Sequence, residues 1–115
     1  MRLNTNVLEK LQDIGGQNLV SKMFDLFEQN VRTRLTVIEE GIHTRDVQQT
    51  VRGFHSIKSS AGNIGAEDLM ELASAGEENA ADWAQSELKT HFVKTKNEFK
   101  EVIKILNRKR EGLTQ

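Results

Sequence analysis

Lys58, Ser59 and Gly62 follow His55 by three, four and seven residues. In an α-helix, with about 3.6 residues per turn, these offsets share one face. The apolar residues Val47, Val51, Phe54, Ile57, Ala61 and Ile64 form a separate stripe at steps of three and four, so His55 is expected to face water rather than core. An ordinary imidazole titrates near about pH 6.5 and near neutrality offers an uncharged, nucleophilic nitrogen. Lys58, one turn on, is a point cation able to offset the charge of an incoming phosphoryl group. Helical side chains lean toward the N-terminus, so the residue at position 59 covers the surface above His55. A serine there leaves the ring open, where leucine or phenylalanine would shut it off, and its hydroxyl can bond the imidazole or phosphoryl oxygens. Gly62 extends this low-relief track. Gln48 and Arg52 prolong the same face upstream; Arg52 suits the acidic rim of a partner and equally an ordinary solvated surface.

The motif has no carboxylate of its own, since the flanking acids Asp46 and Glu67 lie nine and twelve residues from His55. An exposed histidine with a cation and no adjacent base suits accepting and returning a phosphoryl group better than hydrolysing one. The remaining histidines, His43 at a helix junction and His91 in a polar stretch, read as surface residues. No two histidines share a helical ligand spacing, so no metal site is expected. Cysteine is absent, which excludes disulfides and thiolate chemistry. No glycine-rich loop follows a strand, so no nucleotide cradle is expected either.

The elements that must carry these residues are helical throughout. The chain has 115 residues, no proline and 29% charged residues, a composition of one soluble domain near the helix-rich end. A short first helix is expected with Asn6 as N-cap and Glu9 three residues on, carrying Val7, Leu11 and Ile14 and stopped by Gly15-Gly16. The second runs from about Asn18 to Gly41 on the stripe Val20, Met23, Phe27, Val31, Leu35 and Ile38. Thr44 is the expected N-cap of the third, which continues to Ile64 with Gly65 after it. The fourth begins near Ala66 on Leu69, Leu72, Ala73, Gly76 and Ala80, small residues that suit close helix packing. Asp82 and Gln85 have capping spacing before the last helix, which carries Leu88, Phe92, Phe99, Ile103 and Leu106. The fold class is therefore all-α: an antiparallel up-down four-helix bundle with a short additional N-terminal helix across one end.

Charge is uneven along this array. Residues 59–88 hold seven acids and no Lys or Arg, whereas residues 89–115 hold eight cations against three acids. Two neighbouring helices with complementary solvated faces account for this. A net charge of −1, without aromatics among the basic residues, argues against nucleic-acid binding. No apolar run approaches the roughly 18 residues needed to cross a bilayer, and no signal peptide is evident, so a cytoplasmic location is expected.

The motif resembles that of the histidine-containing phosphotransfer family: His, any residue, an aliphatic, Lys, a small residue, and Gly ten positions after the His. Here these are His55, Ile57, Lys58, Ser59 and Gly65, followed by Ala66 and Leu69. The motif spans about fifteen residues, and the helical pattern extends the likeness over most of the chain. The resemblance implies a four-helix bundle and a phosphorelay intermediate without kinase activity. His55 would be the phosphoacceptor, Lys58 its electrostatic partner, and Ser59 and Gly62 the access track. It further implies receiver domains of response regulators and a hybrid sensor histidine kinase as partners, with Mg²⁺ supplied by the receiver and no cofactor held by this chain. Met1 and the lack of a flanking linker favour a free-standing protein, and a monomer is expected. Two residues depart from the family pattern: Ser59 stands where Gly is usual, as in relay proteins of the LuxU type, and Phe54 where Ala is common. Both bear on ring packing and receiver preference. Counting back across the turn from His55 brings Phe24, Phe27, Glu28 and Val31 to its level. Phe24 and Phe27 are the candidate apolar contacts for a receiver, Phe24 the more so because it lies outside the stripe, while Phe27 and Val31 also suit the core. The competing function is a helical adaptor that binds receivers or kinases without phosphotransfer.

Overall fold

The computed structural model describes residues 1–113 as four helices with no strand among them: α1 (Thr5–Thr44), α2 (Val47–Ile64), α3 (Glu67–Asn79) and α4 (Gln85–Leu113). α1 packs on α2 and α4, and α3 packs on α2 and α4, so the four helices close a ring. The expected bundle is therefore the fold.

The expected short first helix and long second helix are joined. Forty residues of straight α-helix would measure about 60 Å, more than the 47 Å long axis of the molecule. The chain bends at Gly16, whose φ of 71° and ψ of −163° are non-helical and open to a residue without a Cβ. The arm before the bend lies across the end of the bundle. Asn4 N–H donates to Gly65 O at 2.7 Å and Asp68 N–H to Met1 O at 3.0 Å, while Leu3 and Leu8 are buried. The N-cap is Asn4 rather than Asn6: its side chain accepts from Asn6 N. Ile14, expected on the apolar face, is 78% exposed because the bend turns it outward.

The other boundaries follow the same chemistry at shifted positions. Gly41 does not end a helix; it is buried within α1, where a Cβ would stand 2.6 Å from Thr50 Oγ1. α1 ends instead at Arg45, a left-handed cap. Thr44 closes α1 with its hydroxyl on Glu40 O, and Asp46 caps α2 by accepting from Gln49 N at 3.0 Å. Gly65, with φ of 81°, closes α2. Asp82 lies in the turn rather than at the cap; Glu87 reaches back to Ala84 N at 3.2 Å at the start of α4, half of a capping box.

The core contains the expected α1 stripe, with Val20, Phe27, Val31, Leu35 and Ile38 buried, and most of the α4 line, with Leu88, Phe92, Phe99 and Leu106 buried. Phe24 is buried as well, at 1% exposure. α1 contacts helices on two sides, so its buried arc is wider than one stripe. The ring of Phe24 lies beneath the Arg110 guanidinium, 5.6 Å from centroid to carbon, and Arg110 is held by Asp25 at 2.9 Å. On α2, Thr50 and Gly53 take the buried places in the first two turns, and Val47 is exposed. No helix among the described residues is long and apolar enough to cross a membrane.

Candidate functional site

α2 carries His55 on the face turned from the core. The two residues that flank its stripe, Phe54 and Ile57, are fully buried, which rotates His55 outward to 59% side-chain exposure. Lys58 stands one turn on, at the edge facing α3. Ser59 and Gly62 continue the exposed track downstream, and Gln48 and Arg52 lie exposed upstream. The low relief at Gly62 has a neighbour, since a Cβ there would sit 3.3 Å from Met70 Sδ.

α3 contributes a residue that the motif does not contain. Glu77 Oε1 is 2.7 Å from His55 Nδ1, and Glu77 Oε2 is 2.7 Å from Lys58 Nζ. The expectation of an imidazole without a nearby carboxylate is thus overturned. The acid arrives from 22 residues away in sequence, across the α2–α3 packing. Its one sequence signal was the small residue before it, Gly76, which lets α3 approach. The new carboxylate is engaged on both oxygens. Lys58 first, and His55 after it, hold the Glu77 carboxyl below its ordinary pKa of 4.5, against an opposing desolvation. A carboxylate with both oxygens engaged and a lowered pKa is a poor base for water.

The geometry decides the tautomer. A carboxylate at this pKa can only accept, so the proton between the groups belongs to His55 Nδ1. The lone pair of the neutral ring then lies on Nε2, the nitrogen away from Glu77. Ser56 and Ser60 accept from Asn30 of α1, Ser56 at 3.5 Å, while His55 Nδ1 bonds Glu77, which leaves the Ser59 hydroxyl the phosphoryl oxygens of the two partners expected for it.

Phe24 and Phe27, the candidate receiver contacts, are both core: 1% and 3% exposed. Phe27 packs on Phe99 with ring centroids 5.7 Å apart. In the part of α1 beyond the Gly16 bend, the exposed large apolar residue is Leu26, at 50%. It lies one turn before Asn30, so in the antiparallel register it runs alongside the α2 segment just beyond Ser60. It falls outside the periodic stripe, which is why the pattern passed over it. His91 is also not a plain surface residue. Its Nε2 lies 2.7 Å from Leu72 O, so it donates to that carbonyl, and its ring packs on Trp83 at 4.7 Å and on the edge of Phe54 at 5.8 Å. His43 is exposed in the last turn of α1.

Residues 22–107 match the family model described as the Hpt domain. No curated protein matches the chain. Among solved structures, the chain is similar to the crystal structure of histidine-containing phosphotransfer protein B (HptB) from Pseudomonas aeruginosa PAO1. The TM-score is 0.88 at 23% sequence identity, over 96% of this chain and 95% of that one. The match of the family model over most of the helices establishes that this chain belongs to the Hpt family, the histidine phosphotransfer domains of phosphorelays.

Proposed function

We propose that His55 Nε2 accepts a phosphoryl group from a receiver-domain aspartate and returns it to the aspartate of a response regulator. The observation that carries this reading is the 2.7 Å contact of Nδ1 with Glu77 on a ring left largely exposed. The Nε2 lone pair attacks phosphorus and the bond from phosphorus to the aspartyl oxygen breaks, so that the carboxylate leaves with the electron pair. The ring then carries a positive charge shared with Nδ1–H, which faces the Glu77 anion. That anion is in place before the reaction, so the charge is stabilised without reorganisation. Lys58, beside the ring, neutralises the phosphoryl oxygens, and the Ser59–Gly62 track admits the partner. Mg²⁺ belongs to the receiver's acidic site in this scheme.

The role requires a carrier without kinase activity of its own, working as a cytoplasmic monomer between the receiver of a hybrid sensor kinase and that of a response regulator. Leu26, Arg52 and Gln48 border the exposed histidine face and are the proposed receiver contacts.

The test mixes the protein with a receiver domain phosphorylated by a small phosphodonor in Mg²⁺. Acid-labile, alkali-stable label is expected on the wild type and not on His55→Gln. ATP alone is expected to label neither. Equal labelling of His55→Gln would reject His55 as acceptor, and an unlabelled wild type that still binds receivers would favour the adaptor role.

A further inference from the structure

Directly beneath the His55–Glu77 contact lies a second, buried one. Phe54 precedes His55 on α2, and Gly76 precedes Glu77 on α3. Both are buried. A Cβ on Gly76 would stand 2.7 Å from three carbons of the Phe54 ring, well inside the roughly 3.5–4.0 Å at which carbons rest. The ring has little freedom to yield. Phe54 is 0% exposed, and its edge is met by the His91 ring. His91 is itself tied to Leu72 O of α3 and flanked by Trp83.

We propose that the Phe54–Gly76 contact is the spacer that sets Glu77 on His55, making Phe54 and Gly76 positioning residues for phosphotransfer. The inference rests on the reading of His55 as phosphoacceptor. Relieving a Cβ at position 76 requires moving the helices apart by about 0.8 Å, the gap between 2.7 Å and ordinary carbon contact. The same shift would take the His55 Nδ1–Glu77 contact from 2.7 Å to the edge of hydrogen-bonding range. A Glu77 side chain that extended to follow the ring would draw its other oxygen from the 2.7 Å contact with Lys58. Because the two pairs are sequence neighbours, the tolerance of the buried pair becomes the tolerance of the exposed one.

The experiment compares wild type, Gly76→Ala, the double variant Phe54→Leu with Gly76→Ala, and His55→Gln. Circular dichroism follows folding, ¹⁵N shifts of the His55 ring follow the tautomer, and label transfer from a phosphorylated receiver follows function. A folded Gly76→Ala is expected to lose its preference for the Nδ1–H tautomer and to transfer roughly tenfold more slowly. The double variant, which returns volume at the contact, is expected to recover both. A folded Gly76→Ala with wild-type tautomer and rate overturns the spacer. So does a double variant that recovers thermal stability but neither of the other readouts. Should Gly76→Ala not fold, Phe54→Leu alone decides: a shifted tautomer and slower transfer support the spacer, and wild-type values for both overturn it. Label on His55→Gln would instead reject the acceptor assignment, whatever the spacer variants do.

Discussion

Lys58 Nζ stands 2.7 Å from Glu77 Oε2, so the cation one turn from the proposed acceptor is already paired before any phosphoryl group arrives. The pair is partly solvated, with Lys58 36% exposed. Exchanging one anion for another is therefore cheap, and Lys58 can move from carboxylate to phosphoryl oxygen within the reach of its own stem.

Lys58→Ala is expected to slow transfer without abolishing it, by about fivefold for an interaction of about 1 kcal/mol. The variant should also raise the Glu77 pKa, since Lys58 is the leading cause of its depression. A ¹³C titration of the Glu77 carboxyl and a transfer time course check the two together; an unmoved pKa would deny the pairing.

Glu77→Gln keeps the shape of the side chain and removes the charge facing Nδ1. A hydrogen bond to a charged group contributes about 1.5–3 kcal/mol, so transfer is expected to fall roughly ten- to a hundredfold. A rate within twofold of wild type would show that Glu77 only orients the ring.

The same carboxyl sets a dependence of stability on acid. Its folded pKa lies below the ordinary value of 4.5. Its contribution to stability is therefore full above that value and is lost as pH falls through the folded pKa. Thermal melts of wild type and Glu77→Gln are expected to differ most near neutrality and to converge in acid. A gap that widens on acidification would contradict the sign.

Phe24 and Leu26 separate core from contact surface. Phe24→Ala is expected to destabilise by about 3–5 kcal/mol, read by denaturant unfolding. Leu26→Ala, at a half-exposed position, should change stability by no more than about 0.5 kcal/mol while weakening receiver binding. The reverse pattern would restore Phe24 as the docking residue.

Ser59→Leu is expected to leave the helical circular dichroism unchanged and to reduce transfer at least about tenfold, because a branched side chain one turn on covers the ring. Undiminished transfer would mean that the partner reaches His55 from the α3 side.

Much of the molecule was legible as periodicity and capping chemistry, because both are local. The stripe through Val20, Phe27, Val31 and Ile38, the exposed setting of His55 opposite Phe54 and Ile57, and the closure of α2 at Gly65 all follow from residues within a few turns of one another. The family motif from His55 to Gly65 is local in the same sense, and it pointed to the Hpt family on its own. Boundaries drifted by a few residues where several side chains could cap, as with Thr44 against Asp46 and Asn6 against Asn4. Other features required the bundle to assemble. Gly15-Gly16 read as a stop, yet packing of the arm on Gly65 and α3 makes it a bend. Phe24 looked peripheral on one helix and is core because α4 brings Arg110 over it. Glu77 was one acid among seven in its stretch, and only the close approach of α3 to α2 at Gly76 puts it on His55 and Lys58. Contacts between helices depend on distance in space, which a repeat of three and four residues along one helix does not encode.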